Sequence, residues 1–216
     1  MDNIDKESKM YKFAAGKGVM NLPNKLTISR VLMIPVFVLF FYLSFTAHYF
    51  IALAVFMIAS FTDLLDGKIA RKYNLVTNLG KFLDPIADKV LVLSAYVVFL
   101  TVPAMFCDYL GNWAYIVAGC GTAVILAREI IVSGFRMVAA GSGCVIAADI
   151  IGKYKTVTQD IAVIILLLGE GIRELTGHLV GEVINLTGLA FFALSVLLTV
   201  ASGINYIVKN IEVLKQ

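Results

Sequence analysis

Six long apolar stretches, joined by short polar connections, make up most of this 216-residue chain. They span residues 28–46, 49–71, 79–102, 113–140, 144–169 and 183–210. A helix of about 20 apolar residues crosses a bilayer, and lipid offers no partner for unsatisfied backbone groups. The sequence therefore predicts an all-α, polytopic membrane protein with six transmembrane helices and no large extramembrane domain.

The composition agrees with this prediction. Hydrophobic residues make up 60% of the chain and charged residues 15%, against about one quarter charged in soluble domains. The net charge of +3 favours neither a nucleic-acid binder nor a strongly acidic partner. The three cysteines are widely spaced without a CxxC pair, so neither a disulfide framework nor a metal knuckle is expected.

The chain divides into a basic N-terminal juxtamembrane segment, residues 1–20, and a six-helix domain, residues 21–216. The N-terminal segment carries four lysines and a weak apolar face, which fits either a surface-lying helix or a frayed tail. With a cytoplasmic N-terminus and six crossings, every Lys and Arg except Arg173, including Arg30, falls on the inner side. The positive-inside rule then places both termini in the cytoplasm of a cell-membrane protein.

Four aspartates lie where the second and third stretches meet the inner face: Asp63, Asp66, Asp84 and Asp88. Within each pair the residues are three or four apart, so their side chains share one helix face. Each carboxylate in a spanning helix costs about 2.5–3.5 kcal/mol on insertion scales. Clustered carboxylates also repel one another, and divalent cations remove both penalties. Oxygen ligands without His or Cys suit Mg²⁺ or Mn²⁺.

Other readings of these residues stay open at this level. The aspartates could bond helices together or line a water-filled vestibule. Intramembrane carboxylates also mark the ion paths of transporters, although transporters usually contain internal repeats and place their sites near the midplane. Gly67 could serve helix packing instead of a ligand, and Arg71 could be an inner-surface anchor instead of a phosphate contact.

The spacing of these residues resembles the signature of the CDP-alcohol phosphatidyltransferases. All eight fixed positions are present as D-x2-D-G-x2-A-R-x8-G-x3-D-x3-D, from Asp63 to Asp88. The family also has six membrane helices with this motif on the second and third, so the resemblance covers nearly the whole chain. The segments 21–30, 80–89, 127–136 and 152–156 are similar to its phosphatidylglycerophosphate synthase subgroup, and the extension before Met20 departs from that subgroup.

The resemblance implies transfer of a phosphatidyl group from CDP-diacylglycerol to glycerol 3-phosphate at a site open to the cytoplasm. The four aspartates would hold two Mg²⁺ or Mn²⁺ ions, and Asp88 would also be the general base, which the sequence alone does not separate from Asp84. The family's positions for CDP-diacylglycerol binding include those of the first aspartate pair and five others. In this chain the full set is Asn24, Thr27, Asp63, Asp66, Gly67, Arg71 and Thr77. The family also implies a homodimer.

The acceptor carries a phosphate, which requires cations from elsewhere in the chain. Arg128, Arg136, Lys153 and Lys155 supply them near the fourth and fifth stretches. Arg128 lies within an apolar stretch, where burial makes it costly, but its neighbour Glu129 also allows a purely local ion pair. Arg136 and the lysines could instead be inner-surface anchors. Other acceptors stay open at this level: inositol phosphate, serine, or phosphatidylglycerol as in cardiolipin synthesis.

Overall fold

The computed structural model describes residues 22–72, 78–141 and 150–210, and within these ranges the chain forms seven α-helices and no strand. In chain order the helices are α1 (Leu22–Tyr42), α2 (His48–Lys72), α3 (Asn78–Phe99), α4 (Ala104–Leu110), α5 (Asn112–Gly141), α6 (Ile150–Thr176) and α7 (His178–Asn210). The all-α prediction is therefore confirmed for the described ranges. The segment 1–20 and Thr77 lie outside the described residues.

Each of the six longer helices overlaps one of the six apolar stretches, with bounds that differ by up to seven residues. They contain 21 to 33 residues, and about 20 suffice to cross a bilayer. Among the described residues, three helical segments are both long and apolar enough to span a membrane: Asn24–Tyr42, Asn112–Arg136 and Leu179–Asn210. The structure thus supports an all-α membrane protein, and the six crossings and the orientation of the termini stay predictions.

The connection predicted over residues 103–112 contains the short helix α4. Gly111 follows it with a φ of +73°, and α5 begins at the next residue. Positive φ is accessible to glycine without a Cβ clash, so this residue can turn the chain sharply between two helices. A different residue, Ala47, takes the positive φ of 71° in the turn between α1 and α2.

The connection predicted over residues 169–182 is wrong. Helix α6 continues to Thr176, and α7 begins at His178 after the single residue Gly177. Glu170 in this region pairs with Arg173 on its own helix and with Asn185 on α7, so its charge has partners inside the packed helices. Glu170, expected in an outer loop, is only 3% exposed and accepts a hydrogen bond of 2.6 Å from Asn185 Nδ2 on α7.

The chain divides into two compact units, Met1–Ser94 and Ala95–Gln216. In the first unit, α1 packs against α2 through aromatic rings, with the Phe37 and Phe56 centroids 6.1 Å apart. In the second unit, α7 packs against α5 and α6 around buried Ile125, Leu166 and Leu167.

Candidate active site

The aspartate motif lies on two helices of the first unit. Asp63 and Asp66 belong to α2, and Asp84 and Asp88 belong to α3. At 1.5 Å per residue, Asp63 lies about 14 Å along the axis from the C-terminal end of α2. The same rise puts Asp84 and Asp88 about 9 and 15 Å from the start of α3. The predicted helical placement of both pairs is confirmed by the backbone.

Asp63 is the motif aspartate whose side chain the structure describes. Its side chain is 33% exposed, and its Oδ1 lies 2.6 Å from Nη1 of Arg30 on α1. The side chains of the other motif residues lie outside the described part of the chain: Asp66, Gly67, Arg71, Asp84 and Asp88. Among the side chains that are described, no three His, Cys, Asp or Glu residues form a metal-binding group. The four-aspartate metal site therefore stays a prediction.

The start of α1 presents a buried polar stripe. Asn24 is 1% exposed, and Thr27 and Arg30 are fully buried. Their spacing of three residues puts them along one helix face. At the end of this face, Arg30 forms an ion pair with Asp63 on α2. Sequence comparison with the family had singled out Asn24 and Thr27. The sequence counts Arg30 only among the positive charges of the inner side, which stays a prediction, and the structure adds that its side chain is fully buried.

A buried charge cluster in the second unit joins two of the residues predicted to bind the acceptor phosphate. Arg128 on α5 and Lys155 on α6 both contact Oε1 of Glu129, the arginine through Nη1 at 3.1 Å. Glu129 and Lys155 are each 4% exposed. The other terminal nitrogen of Arg128, Nη2, donates a hydrogen bond of 3.0 Å to Ser202 Oγ on α7.

The sequence allowed two interpretations of Arg128: a contact with the acceptor phosphate, or a local ion pair with Glu129. The ion pair with Glu129 is present, as the alternative reading expected. The same carboxylate also contacts Lys155, so Glu129 joins two cationic side chains from α5 and α6 and is more than a local partner of Arg128. Lys155 is no surface anchor, because it is buried.

The two other predicted acceptor residues have different surroundings. Arg136 Nε donates a hydrogen bond of 3.3 Å to the hydroxyl of Tyr206, and its guanidinium carbon lies 5.3 Å from the centre of that ring. Such a cation–π contact holds the arginine against α7. Lys153 is exposed on α6. The structure thus brings Arg128 and Lys155 together on Glu129 and gives Arg136 a separate partner.

Sequence reasoning missed four residues that organise these clusters. Arg30 could have been found from its spacing with Asn24 and Thr27. Ser202 and Tyr206 are polar residues one turn apart in the sixth apolar stretch, and that pattern is a usable signal. The sequence indicates Glu129 only as a neighbour of Arg128, because no spacing rule links it to Lys155 on another helix.

Comparisons with known proteins agree with the sequence signature. Residues 20–201 match the family model described as CDP-alcohol phosphatidyltransferase. The CDP-diacylglycerol–glycerol-3-phosphate 3-phosphatidyltransferase of Bacillus subtilis is 40% identical over 210 residues, covering 91% of this chain and 98% of the relative. The proteins of the same name from Escherichia coli K12 and Rickettsia bellii are each 38% identical and cover 87% and 86% of this chain and 93% of their own length.

Proposed function

Because the chain belongs to the CDP-alcohol phosphatidyltransferase family, we propose that it transfers the phosphatidyl group of CDP-diacylglycerol to sn-glycerol 3-phosphate. The products are phosphatidylglycerophosphate and CMP. The observation that carries the chemistry is the complete eight-position motif on two consecutive helices, α2 and α3. The acceptor is inferred from relatives at 38–40% identity, whose shared name specifies glycerol 3-phosphate.

The residues of the motif fit a pair of hard divalent cations. All four side chains offer carboxylate oxygens, the ligands that Mg²⁺ and Mn²⁺ prefer. Asp63, whose side chain is one-third exposed, already lies within contact distance of a cationic group. Asp63, Asp66, Asp84 and Asp88 would hold the ions, which when bound supply positive charge to the pyrophosphate and to the departing CMP.

The protein's own groups then act on the substrates. Asp88 accepts the proton of the glycerol 3-phosphate hydroxyl, and that oxygen bonds to the phosphorus carrying the diacylglycerol. The bond from this phosphorus to the bridging oxygen breaks, and the oxygen leaves with CMP. Asn24, Thr27, Gly67, Arg71 and Thr77 are assigned to binding the CDP-diacylglycerol. Asn24 and Thr27 support this role by their place on the face of α1 that also carries Arg30, the ion-pair partner of Asp63.

The acceptor phosphate is assigned to Arg128, Arg136, Lys153 and Lys155. The strongest support is the shared contact of Arg128 and Lys155 with Glu129. A phosphate oxygen at this cluster would meet two cationic side chains that already lie close together, and contacts between charged donors and phosphate oxygens are strong. Arginine suits this task because its guanidinium matches phosphate geometry.

The membrane arrangement is part of the same proposal. Six crossings with both termini in the cytoplasm would open the aspartate site to water-soluble glycerol 3-phosphate and CMP, while the acyl chains stay in the bilayer of the cell membrane. The distribution of lysine and arginine supports this orientation. We expect a homodimer, and a single species at twice the protomer mass on detergent-corrected light scattering would support it.

An acceptor screen tests the proposed function. Purified protein is incubated with Mg²⁺ or Mn²⁺ and CDP-diacylglycerol, and CMP release is measured with each acceptor in turn. We expect release with glycerol 3-phosphate alone. Release driven by inositol phosphate, serine or phosphatidylglycerol would replace the assigned acceptor. No release with any acceptor would overturn the transferase assignment.

A further inference from the structure

We propose that Arg30 is a positioning residue for the first aspartate of the motif: it holds the Asp63 carboxylate in the orientation that metal binding needs. The inference rests on the proposed function, because it takes Asp63 to be a metal ligand. It adds a residue from outside the eight-position motif, on a helix that carries none of the four aspartates.

The contact is short and connects two helices. Nη1 of Arg30 on α1 lies 2.6 Å from Oδ1 of Asp63 on α2. The contact is an ion pair, and the attraction between opposite charges at this separation is strong where water is excluded. A carboxylate offers about four lone-pair sites on its two oxygens, so one guanidinium contact restrains the group and leaves it able to bind a cation.

The two partners differ in exposure, and this difference separates their roles. The Arg30 side chain is fully buried, whereas the Asp63 side chain is 33% exposed. An ion or a headgroup approaching from the exposed side meets the carboxylate, with the guanidinium behind it. Arg30 therefore acts through Asp63, and we do not assign it a contact with substrate.

The location of Arg30 in its helix supports a dedicated role. A charged side chain near the end of an apolar helix normally extends toward the headgroups. Arg30 instead points inward on the face shared with buried Asn24 and Thr27, while Lys25 on the same helix is exposed. Burial of a guanidinium is unfavourable unless a partner compensates the charge, and Asp63 is such a partner.

A purely structural pair and a positioning pair predict different results. A structural pair would stabilise α1 against α2 without affecting the affinity for metal. If Arg30 acted only through its charge, its removal would tighten metal binding, because a guanidinium repels a divalent cation. If it orients Asp63, its removal would weaken metal binding. A lysine at position 30 keeps the positive charge and changes only the geometry, which isolates the orienting effect.

The experiment measures Mn²⁺ affinity by electron paramagnetic resonance in purified, detergent-solubilised protein, together with steady-state kinetics. Wild type is compared with Arg30→Lys, Arg30→Met and the exposed control Lys25→Gln. Loss of a group that orients a metal ligand weakens affinity by roughly 10- to 100-fold. We expect a loss of about tenfold for Arg30→Lys and no change for Lys25→Gln. The KM for glycerol 3-phosphate should stay within about twofold in both, because this contact does not involve the acceptor.

Each outcome decides the proposal. Unchanged or tighter Mn²⁺ binding in folded Arg30→Lys, even with lowered thermal stability, would overturn it. Arg30→Met should also bind Mn²⁺ more weakly than wild type, with part of the effect offset by loss of the repelling charge, and if that variant fails to fold, Arg30→Lys alone decides. A different result would overturn the proposed function: wild-type protein that binds Mn²⁺ but releases no CMP with glycerol 3-phosphate.

Discussion

Lys155→Met tests whether the cluster of Arg128, Glu129 and Lys155 binds the acceptor phosphate or only pairs its own charges. Lys155 and Arg128 both contact Glu129 Oε1, so the substitution removes one of two cations from one carboxylate. Glu129 keeps Arg128 at 3.1 Å. The remaining pair is electrically balanced, and we therefore expect only a modest loss of stability.

The expected kinetic effect is larger and specific to one substrate. A hydrogen bond to a charged group contributes about 1.5–3 kcal/mol, and each 1.4 kcal/mol corresponds to about tenfold in affinity. Loss of the lysine contact with the acceptor phosphate should therefore raise the KM for glycerol 3-phosphate by roughly 10- to 150-fold. The KM for CDP-diacylglycerol should not change, because the lysine is assigned to the other substrate.

The assay is CMP release at saturating CDP-diacylglycerol over a range of glycerol 3-phosphate concentrations. Lys209→Met is the matched control, since Lys209 is an exposed lysine on α7 with no assigned role. Glu129→Gln provides the stability comparison: it removes the carboxylate that buried Lys155 and part-buried Arg128 both contact, and breaking a buried pair costs about 3–5 kcal/mol. An unchanged KM for glycerol 3-phosphate in folded Lys155→Met would refute the acceptor assignment of this cluster.

Three further predictions concern the catalytic base, the metal and helix packing. Asp88→Asn should abolish CMP release while the protein still inserts and folds, with exposed Glu174→Gln as control, and near-normal turnover would remove Asp88 as the base. Chelation of divalent cations should stop CMP release and added Mg²⁺ or Mn²⁺ should restore it, whereas full activity in excess chelator would count against the metal site. Gly181→Ala should destabilise the protein by about 1–3 kcal/mol, because a Cβ there would lie 2.5 Å from Arg173 Cβ. Gly119→Ala, with nothing within 4 Å of the new Cβ, is the control, and equal thermal stability of the two variants would show the prediction wrong.

The placement of the long helices was predictable because apolar stretches of this length have few alternatives in lipid. The error at residues 169–182 has a definite cause. Polar side chains and glycines there suggested a loop, but Glu170 bonds to Asn185 across the α6–α7 contact. A sequence pattern does not reveal that two polar residues satisfy each other across helices.

The candidate site was predictable to the extent that its residues are close in sequence. Asp63 and Asp66 are spaced for one helix face, and Arg128 is adjacent to Glu129. The contacts of Arg30 with Asp63 and of Lys155 with Glu129 join different helices. Such contacts depend on how helices pack, which periodicity within one helix does not specify.

The central claim is that this chain joins the phosphatidyl group to glycerol 3-phosphate, and product stoichiometry tests it most directly. Purified protein with Mg²⁺, CDP-diacylglycerol and isotopically labelled glycerol 3-phosphate is analysed by mass spectrometry for CMP and lipid products. We predict labelled phosphatidylglycerophosphate and CMP in equal amounts, and neither product when glycerol 3-phosphate is omitted. CMP formed without the acceptor, or with an unlabelled lipid product, would contradict the account.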